Sequence, residues 1–457
     1  MNAVIGVDIG SSGIKAVLYA PETGAVLNHA RAPLDARVTK TPQGHFEEDP
    51  ALIRDATFQL IREITDAAKN AGHHIEAIAF TGQMHGGLIV DEALQPVTSF
   101  ITWQDKRGDE ASLNDRTHVE DLREQYPDDP TGTGIHTGFL LSSLFWMARH
   151  GRLPDRGRYV LGIYEWITSV LIGRAVTDVS SASAWAMFDP VSKEWKSDLI
   201  RYADIPFEWL PVVAEPGEDI GEIVPRFAAE LGLPLETRVH ASIGDTQASY
   251  LGSGCTRDEV LLNFGTGSQS LWETTIPLAT EGTDIRYLNK DTWVVTASTL
   301  AGGEAYRILA DFYRETVREF AGRDVTPHEI YEAMNRMAST ADSSSVVFDP
   351  IFAGSKFGGR GDVRASISGL MAMNFTPSNI TRALVEGMIE EVARPYFIRK
   401  GQRQHDGLVG AGNAMRKNVS LRDAAERRFG LKLRLAEYEE EAAVGAALLA
   451  AGAQRIP

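Results

Sequence analysis

Two short segments far apart in the chain each read as strand, glycine turn, returning strand. The first is Val4-Ile5-Gly6-Val7-Asp8-Ile9-Gly10-Ser11-Ser12-Gly13-Ile14-Lys15-Ala16-Val17-Leu18. The second is Val260-Leu261-Leu262-Asn263-Phe264-Gly265-Thr266-Gly267-Ser268-Gln269-Ser270-Leu271-Trp272. Each places small residues and backbone N–H groups at a tight turn, where little side-chain bulk keeps an anion away. The first also carries an acid, Asp8, where the strand meets the turn. Two phosphate-sized cradles in two halves of one chain suggest a nucleotide held between two lobes. No G-x-x-x-x-G-K-[ST] occurs, so this is not a P-loop protein. The first turn returns as a strand rather than a helix, so it is not a dinucleotide fingerprint either.

Between and after these hairpins the pattern is α/β. Asp49-Pro50 opens a helix with Leu52, Ile53, Phe58, Leu60, Ile61 and Ile64 on its apolar face, and Gly72 ends it. A buried strand over Ile75–Phe80 follows, then Thr81-Gly82-Gln83-Met84-His85-Gly86-Gly87. Strand, helix and strand in succession imply an α/β fold, and the hairpin start makes the sheet mixed. The stretch from Gly132 to Asp189, rich in Trp and Phe, reads as a helical insertion shaping a pocket. A domain boundary is expected between about Gly252 and Glu259, dividing the chain into residues 1–252 and 253–457. In the second part, Pro377–Ala393 reads as a long helix, and Leu408-Val409 as a strand entering Gly410-Ala411-Gly412-Asn413. The last helix, Ala442–Ala451, is small and apolar and must be buried. The acidic run Glu439-Glu440-Glu441 before it reads as a solvated helix start.

The bulk numbers exclude several classes. A net charge of −17 argues against nucleic acid or anionic membranes as the main partner. The single cysteine, Cys255, rules out an internal disulfide framework and a multi-cysteine zinc site. The N-terminus has no basic region and reaches an acid too early for a signal peptide. No run of about 18 apolar residues occurs, so no transmembrane helix is expected. A cytoplasmic enzyme is the expectation, and a homodimer is compatible with it.

Taken together, the motifs are similar to those of the FGGY family of carbohydrate kinases. The resemblance spans nearly the whole chain. It rests on Asp8–Lys15, Gly82–Gly86, Thr102-Trp103-Gln104-Asp105-Lys106-Arg107, Gly244-Asp245-Thr246-Gln247-Ala248-Ser249, Gly265-Thr266-Gly267, Gly410–Ala414 and Ala442–Ala447. It implies two actin/hexokinase-type ATPase (ribonuclease H-like) domains with mixed sheets flanking a cleft. It implies an ATP- and Mg²⁺-dependent kinase for the terminal hydroxyl of a ketose. Gln83-Met84-His85 resembles the motif of xylulokinases and sedoheptulokinases. Trp103-Gln104-Asp105 and Ala214-Glu215-Pro216-Gly217 lean toward sedoheptulokinase. Two departures stand out: Gly10-Ser11-Ser12-Gly13 where the family often has Thr-Thr-Ser, and Gly267 where Ser is usual. The other class considered is an actin-like ATPase that uses nucleotide to switch partners.

Each candidate residue has a structural alternative. Asp245, at a strand end beside Gly244, reads equally as a general base or a helix N-cap, and the resemblance implies the base. Asp8 alone suits a turn cap; with the second hairpin it suits Mg²⁺, which takes one or two carboxylates and keeps its waters. The metal set expected is Asp8 and Asp245. Gly10, Ser11, Ser12, Gly265, Thr266 and Gly267 are assigned to phosphates, and Lys15 reads evenly as a phosphate contact or a solvated strand residue. Gly410, Ala411, Gly412 and Asn413 let an adenosine approach closely, or form a plain strand-to-helix turn. The resemblance implies sugar contacts from Gln83, Met84 and His85. Trp103 offers a face to the sugar or belongs to a core, and Asp105 accepts from hydroxyls or pairs with Arg107.

Overall fold

Strand β1, Asn2–Ile9, is buried at every position after Asn2, so it must be central in its sheet. It pairs antiparallel with β2, Gly13–Ala20, which continues into β3, Ala25–Pro33. On its other side lies β4, His74–Gly82, in parallel. The connection from β3 to β4 runs through helix α1, Pro50–Asn70, where Asp49 Oδ1 accepts from Ala51 N at 2.8 Å. Ile53, Leu60, Ile61 and Ile64 of α1 are buried; Leu52, expected on that face, falls off the stripe and is 52% exposed. With β5, Asp219–Glu222, and β6, Arg238–His240, the six-stranded mixed sheet has the order β5-β6-β4-β1-β2-β3. The computed structural model describes residues 1–112, 115–127, 129–265, 267–299, 302–341, 345–354, 363–399 and 404–453.

A second six-stranded sheet repeats the theme. Strand β7, Glu259–Phe264, forms a hairpin with β8, Ser268–Thr274; β9, Asp284–Asn289, and β10, Thr292–Thr299, extend that side. On the other side β7 pairs in parallel with β11, Gly407–Ala411, and β11 with β12, Lys432–Leu435. Its order is β9-β10-β8-β7-β11-β12. In each sheet the strand entering the glycine turn is central, with a hairpin partner on one side and a parallel partner on the other. Two further helices follow strands of these sheets: α2, Asp245–Gly252, after β6 of the first, and α3, Gly303–Ala321, after β10 of the second. Helix α4, Pro377–Ile398, runs on through Pro395, five residues past the expected end at Ala393.

In space the chain does not divide at one point in sequence. One compact unit holds residues 1–254, the hairpin tip Arg286–Trp293 and the chain from Glu440 onward; the other holds 255–285 and 294–439. The stretch from Gly132 to Asp189 contributes to the first unit the helices Leu140–Arg149, Ile163–Ile172 and Val179–Ala184, joined by short strands. Helix α5, Glu441–Ala450, is buried as its composition demands, against β1 and α2. Glycine makes that approach possible. A Cβ on Gly445 would overlap the Ala248 carbonyl and stand 2.6 Å from its carbon. One on Gly252 would stand 2.6 Å from Gly445 N, and one on Gly6 would overlap the Ala443 carbonyl oxygen. The acidic run before α5 is not all solvated: Glu440 is largely covered and pairs with Lys15 at 3.0 Å.

Replacing Gly445 by Ala sets two effects against each other. Helix propensity favours Ala by about 1 kcal/mol, whereas overpacking against backbone costs about 1–3 kcal/mol. The obstructing atoms are backbone of α2, which cannot rotate away. Gly445→Ala should therefore lower stability in urea unfolding, and a neutral or stabilised variant would mean the helices are not in such close contact.

Candidate active site

The first glycine turn is closed by Gly10 N donating to Gly13 O at 3.1 Å, and Ser11 and Ser12 lie exposed on it. Asp8, just before the turn, is 8% exposed and stands opposite Lys15 on β2 and Thr81 on β4. Burial pushes its carboxyl up to about 7; Lys15 opposes that, while Asp245 and Glu440 push it further. Burial alone would lower the Lys15 ammonium, but Asp8 and Glu440 outweigh it and raise it. Lys15 is thus neither a free strand lysine nor uncommitted: it is the counter-charge of two acids.

Asp245 is the first residue of α2, and Gly244 occupies the cap position. Its carboxyl is raised by burial, with Arg286 the chief opposing charge and Thr246 donating to it. Gly244 could carry no side chain, because a Cβ there would overlap the Met84 thioether and stand 3.0 Å from Gln247 Oε1. The Gln83-Met84-His85 loop is therefore in contact with the turn that presents Asp245. Gln83 donates from Nε2 to Glu48 Oε2 at 2.9 Å, and its Oε1 is buried with no hydrogen-bond partner. Glu48 is itself pushed up by burial.

His85 adopts φ 74°, the left-handed region that costs a non-glycine residue about 1 kcal/mol or more. Its Nδ1 is 2.9 Å from the Ala184 carbonyl, so Nδ1 carries the proton, and the ring stacks on Phe139 at 4.2 Å. Strain held this firmly fixes one ring orientation. Trp103 is 47% exposed, unusual for so large an apolar side chain, and Gly138, at φ 80°, packs on its backbone. Asp105 is fully buried. It accepts from Arg107 Nε at 2.8 Å, Arg107 Nη2 at 3.0 Å and Phe46 N at 2.7 Å. Of its two readings, the pairing with Arg107 is the one the geometry contains.

Sequence reasoning missed a group of buried polar residues behind Gly244. Asp178 accepts from the backbone and hydroxyls of Ser180 and Ser181, and Tyr164 Oη lies 2.8 Å from Ser181 Oγ. Glu165 nearby has Oε2 buried without a partner. A lone acid in Ile163-Tyr164-Glu165-Trp166-Ile167 was the available signal, since acids are rarely fully buried.

In the second unit Gly265 N donates to Gly267 O at 3.0 Å, and Gly303 N, at the start of α3, donates to Gly265 O at 3.0 Å. A Cβ on Gly302 would stand 2.6 Å from the Gly267 carbonyl carbon, and Ser268 Oγ is buried without a partner among the described residues. The turn thus meets a helix N-terminus, a contact that the Gly302-Gly303 pair before an amphipathic helix could have signalled. Thr266 lies outside the described residues. Gly412, at φ 82°, lies against β7, where a Cβ would stand 2.5 Å from Phe264 O; Gly410 and Ala411 are buried and Asn413 is exposed. Among the described residues no three His, Cys, Asp or Glu side chains gather as a metal cluster.

Residues 3–252 match the N-terminal domain of the FGGY family of carbohydrate kinases, and residues 260–453 its C-terminal domain. A xylulose kinase from Staphylococcus epidermidis is 24% identical, over 98% of this chain and 88% of that protein. The human sedoheptulokinase is 24% identical, over 97% of this chain and 96% of its own. A ligand-bound xylulose kinase structure from Lactobacillus acidophilus superposes with a TM-score of 0.82 at 23% identity, covering 98% and 89% of the two chains. Among the described residues no helix is long and apolar enough to cross a membrane.

The acids behind Gly244 carry a pH signature. Burial pushes Glu165 from 4.5 up to about 8, with Asp178 adding to the rise, and Asp178 from 3.8 up to about 6. The folded state therefore holds protons that the unfolded chain releases, so this contribution is present below about pH 4 and lost as pH rises through 6 and 8. Glu165→Gln should leave the melting temperature near pH 5 roughly unchanged and raise it above about pH 8. A variant that loses stability with pH as steeply as the parent would remove Glu165 as the proton carrier.

Proposed function

The chain belongs to the FGGY family of carbohydrate kinases and is a sugar phosphotransferase, and we propose that it phosphorylates the terminal hydroxyl of a ketose. Sedoheptulose, giving sedoheptulose 7-phosphate, is the first choice and xylulose the second; relatives named for both sugars support the class. The observation that carries the reading is the contact of Met84 with Gly244. It sets the Gln83-Met84-His85 loop and the Asp245 carboxylate beside one another. A sugar held by the loop would present its terminal hydroxyl to that carboxylate, which takes the proton as the phosphoryl group transfers.

Each residue then has a part. His85, held through Nδ1 by the Ala184 carbonyl, would hydrogen-bond a sugar hydroxyl, and Gln83 is oriented by Glu48. The half-exposed Trp103 offers an apolar face to the sugar's carbon edge. Asp105 contributes by holding the loop through Arg107 and Phe46 rather than by touching substrate. ATP is the donor, with Gly10, Ser11, Ser12, Gly265, Thr266 and Gly267 the residues proposed for its phosphates. Gly410, Ala411, Gly412 and Asn413 take the adenosine. Crowded glycines and the partnerless Ser268 hydroxyl at the second turn suit a ligand approaching backbone. The donor set also fits Mg²⁺, because Asp245 adds to the cost of ionising Asp8 and a divalent cation relieves it. Bound there, the ion would neutralise charge on the transferring phosphoryl group. A partner-switching ATPase without an acceptor substrate is not favoured in a family of carbohydrate kinases.

A panel of ketoses and polyols with coupled ADP detection tests the reading. Sedoheptulose should give the highest kcat/KM and xylulose the next. ADP release indifferent to every sugar, or best with a non-ketose, would overturn it. His85→Ala should raise KM for the preferred ketose about 2–13-fold, the cost of one neutral hydrogen bond, with the ATP KM little changed. Equal rises in both would make His85 structural.

A further inference from the structure

After His240 the chain leaves the sheet, yet Ala241, Ser242, Ile243 and Gly244 are all buried. Buried backbone outside a ladder must find partners elsewhere. Ala241 finds them in backbone, its N–H donating to Glu218 O at 2.8 Å and its carbonyl accepting from Gly217 N at 3.0 Å; beyond it side-chain hydroxyls take over. Thr168 Oγ1 lies 3.0 Å from Ser242 Oγ, Thr81 Oγ1 donates to Ile243 O at 2.6 Å, and Ser180 Oγ accepts from Gly244 N at 2.9 Å. Thr81, Thr168 and Ser180 are each 2% exposed or less. From Ser242 onward the segment that delivers Asp245 is therefore aimed by three hydroxyls from three different elements rather than by backbone pairing.

Ser180 is the one bonded to the residue next to Asp245. Its proton goes to Asp178 Oδ1, which leaves its oxygen lone pairs for the Gly244 N–H. Asp178 is anchored in turn: it caps the helix Val179–Ala184 and sits in the short parallel pairing of Val176–Asp178 with Val212–Ala214. On its other side Gly244 meets Met84. We propose that Ser180, held by Asp178, is a positioning residue for catalysis: it fixes the Gly244 backbone and thereby the reach of Asp245 toward the acceptor hydroxyl. This rests on Asp245 being the base. Ser180 touches no reacting atom; its effect is geometric, and a misplacement of about 1 Å can cost up to about 10²-fold in rate.

Ser181 provides the control. It donates to the other oxygen of the same carboxylate at 2.5 Å, but its second partner is Tyr164, not Gly244. Ser180→Ala and Ser181→Ala each delete one bond to Asp178 and should lose similar thermal stability. Ser180→Ala should lower kcat about tenfold or more with both KM values within about twofold, whereas Ser181→Ala should keep kcat within about twofold. Thr81→Val, which deletes the hydroxyl on Ile243 at nearly constant shape, should lower kcat in the same direction and serves if Ser180→Ala folds poorly. Equal kcat losses in the two serine variants, or parental kcat in both Ser180→Ala and Thr81→Val, would overturn the proposal. Asp245→Asn run alongside separates the two levels. If it is crippled while Ser180→Ala is not, only the positioning role fails; if it is fully active, the base assignment fails.

Discussion

Helix α5 lies so close to α2 and β1 that no side chain fits between them, and the geometry of the first unit follows from that approach. The backbones meet at Gly6, Gly252 and Gly445, where a single methyl on any of them would strike main-chain atoms. β1 carries Asp8 one residue before its end at Ile9 and α2 begins at Asp245, so the helix that packs on both fixes the two acids relative to one another. α5 is encoded at the far end of the sequence, after the whole second unit. The charge balance comes from the same place, since Glu440, immediately before α5, holds Lys15.

That balance explains the electrostatics. Burial is the first cause of the shift at Asp8; Asp245 and Glu440 add to it, Lys15 opposes it, and Arg286 opposes the charge of Asp245. Taking these acids out of water makes ionising them costly even with both cations nearby. The result is the raised carboxyl of Asp8. Such an arrangement is poor for stability and useful for a ligand that brings positive charge, which is how we read its role in phosphoryl transfer.

Much of this was legible in the sequence, for identifiable reasons. The Asp49-Pro50 cap, the two glycine hairpins and the apolar small-residue helix at the end carry local signals that tertiary context did not override. What was not legible depends on residues distant in sequence. Glu440 looks like one of three solvated glutamates until Lys15 is placed beside it. Asp105 could face a sugar or pair with Arg107, and only the fold shows Phe46 N completing its shell. Asp178 and Ser180 sit in an ordinary-looking Thr-Asp-Val-Ser-Ser run whose meaning lies in a backbone N–H that arrives from Gly244.

The central claim is that Asp245 accepts the proton of a ketose hydroxyl as the phosphoryl group moves. Its most direct test pairs calorimetric binding with rapid-quench turnover of Asp245→Asn, using ATP, Mg²⁺ and the preferred ketose. The account predicts near-parental ketose affinity with the chemical step slowed about 10²–10⁴-fold, the range expected for loss of a general base. A chemical step at the parental rate would contradict it.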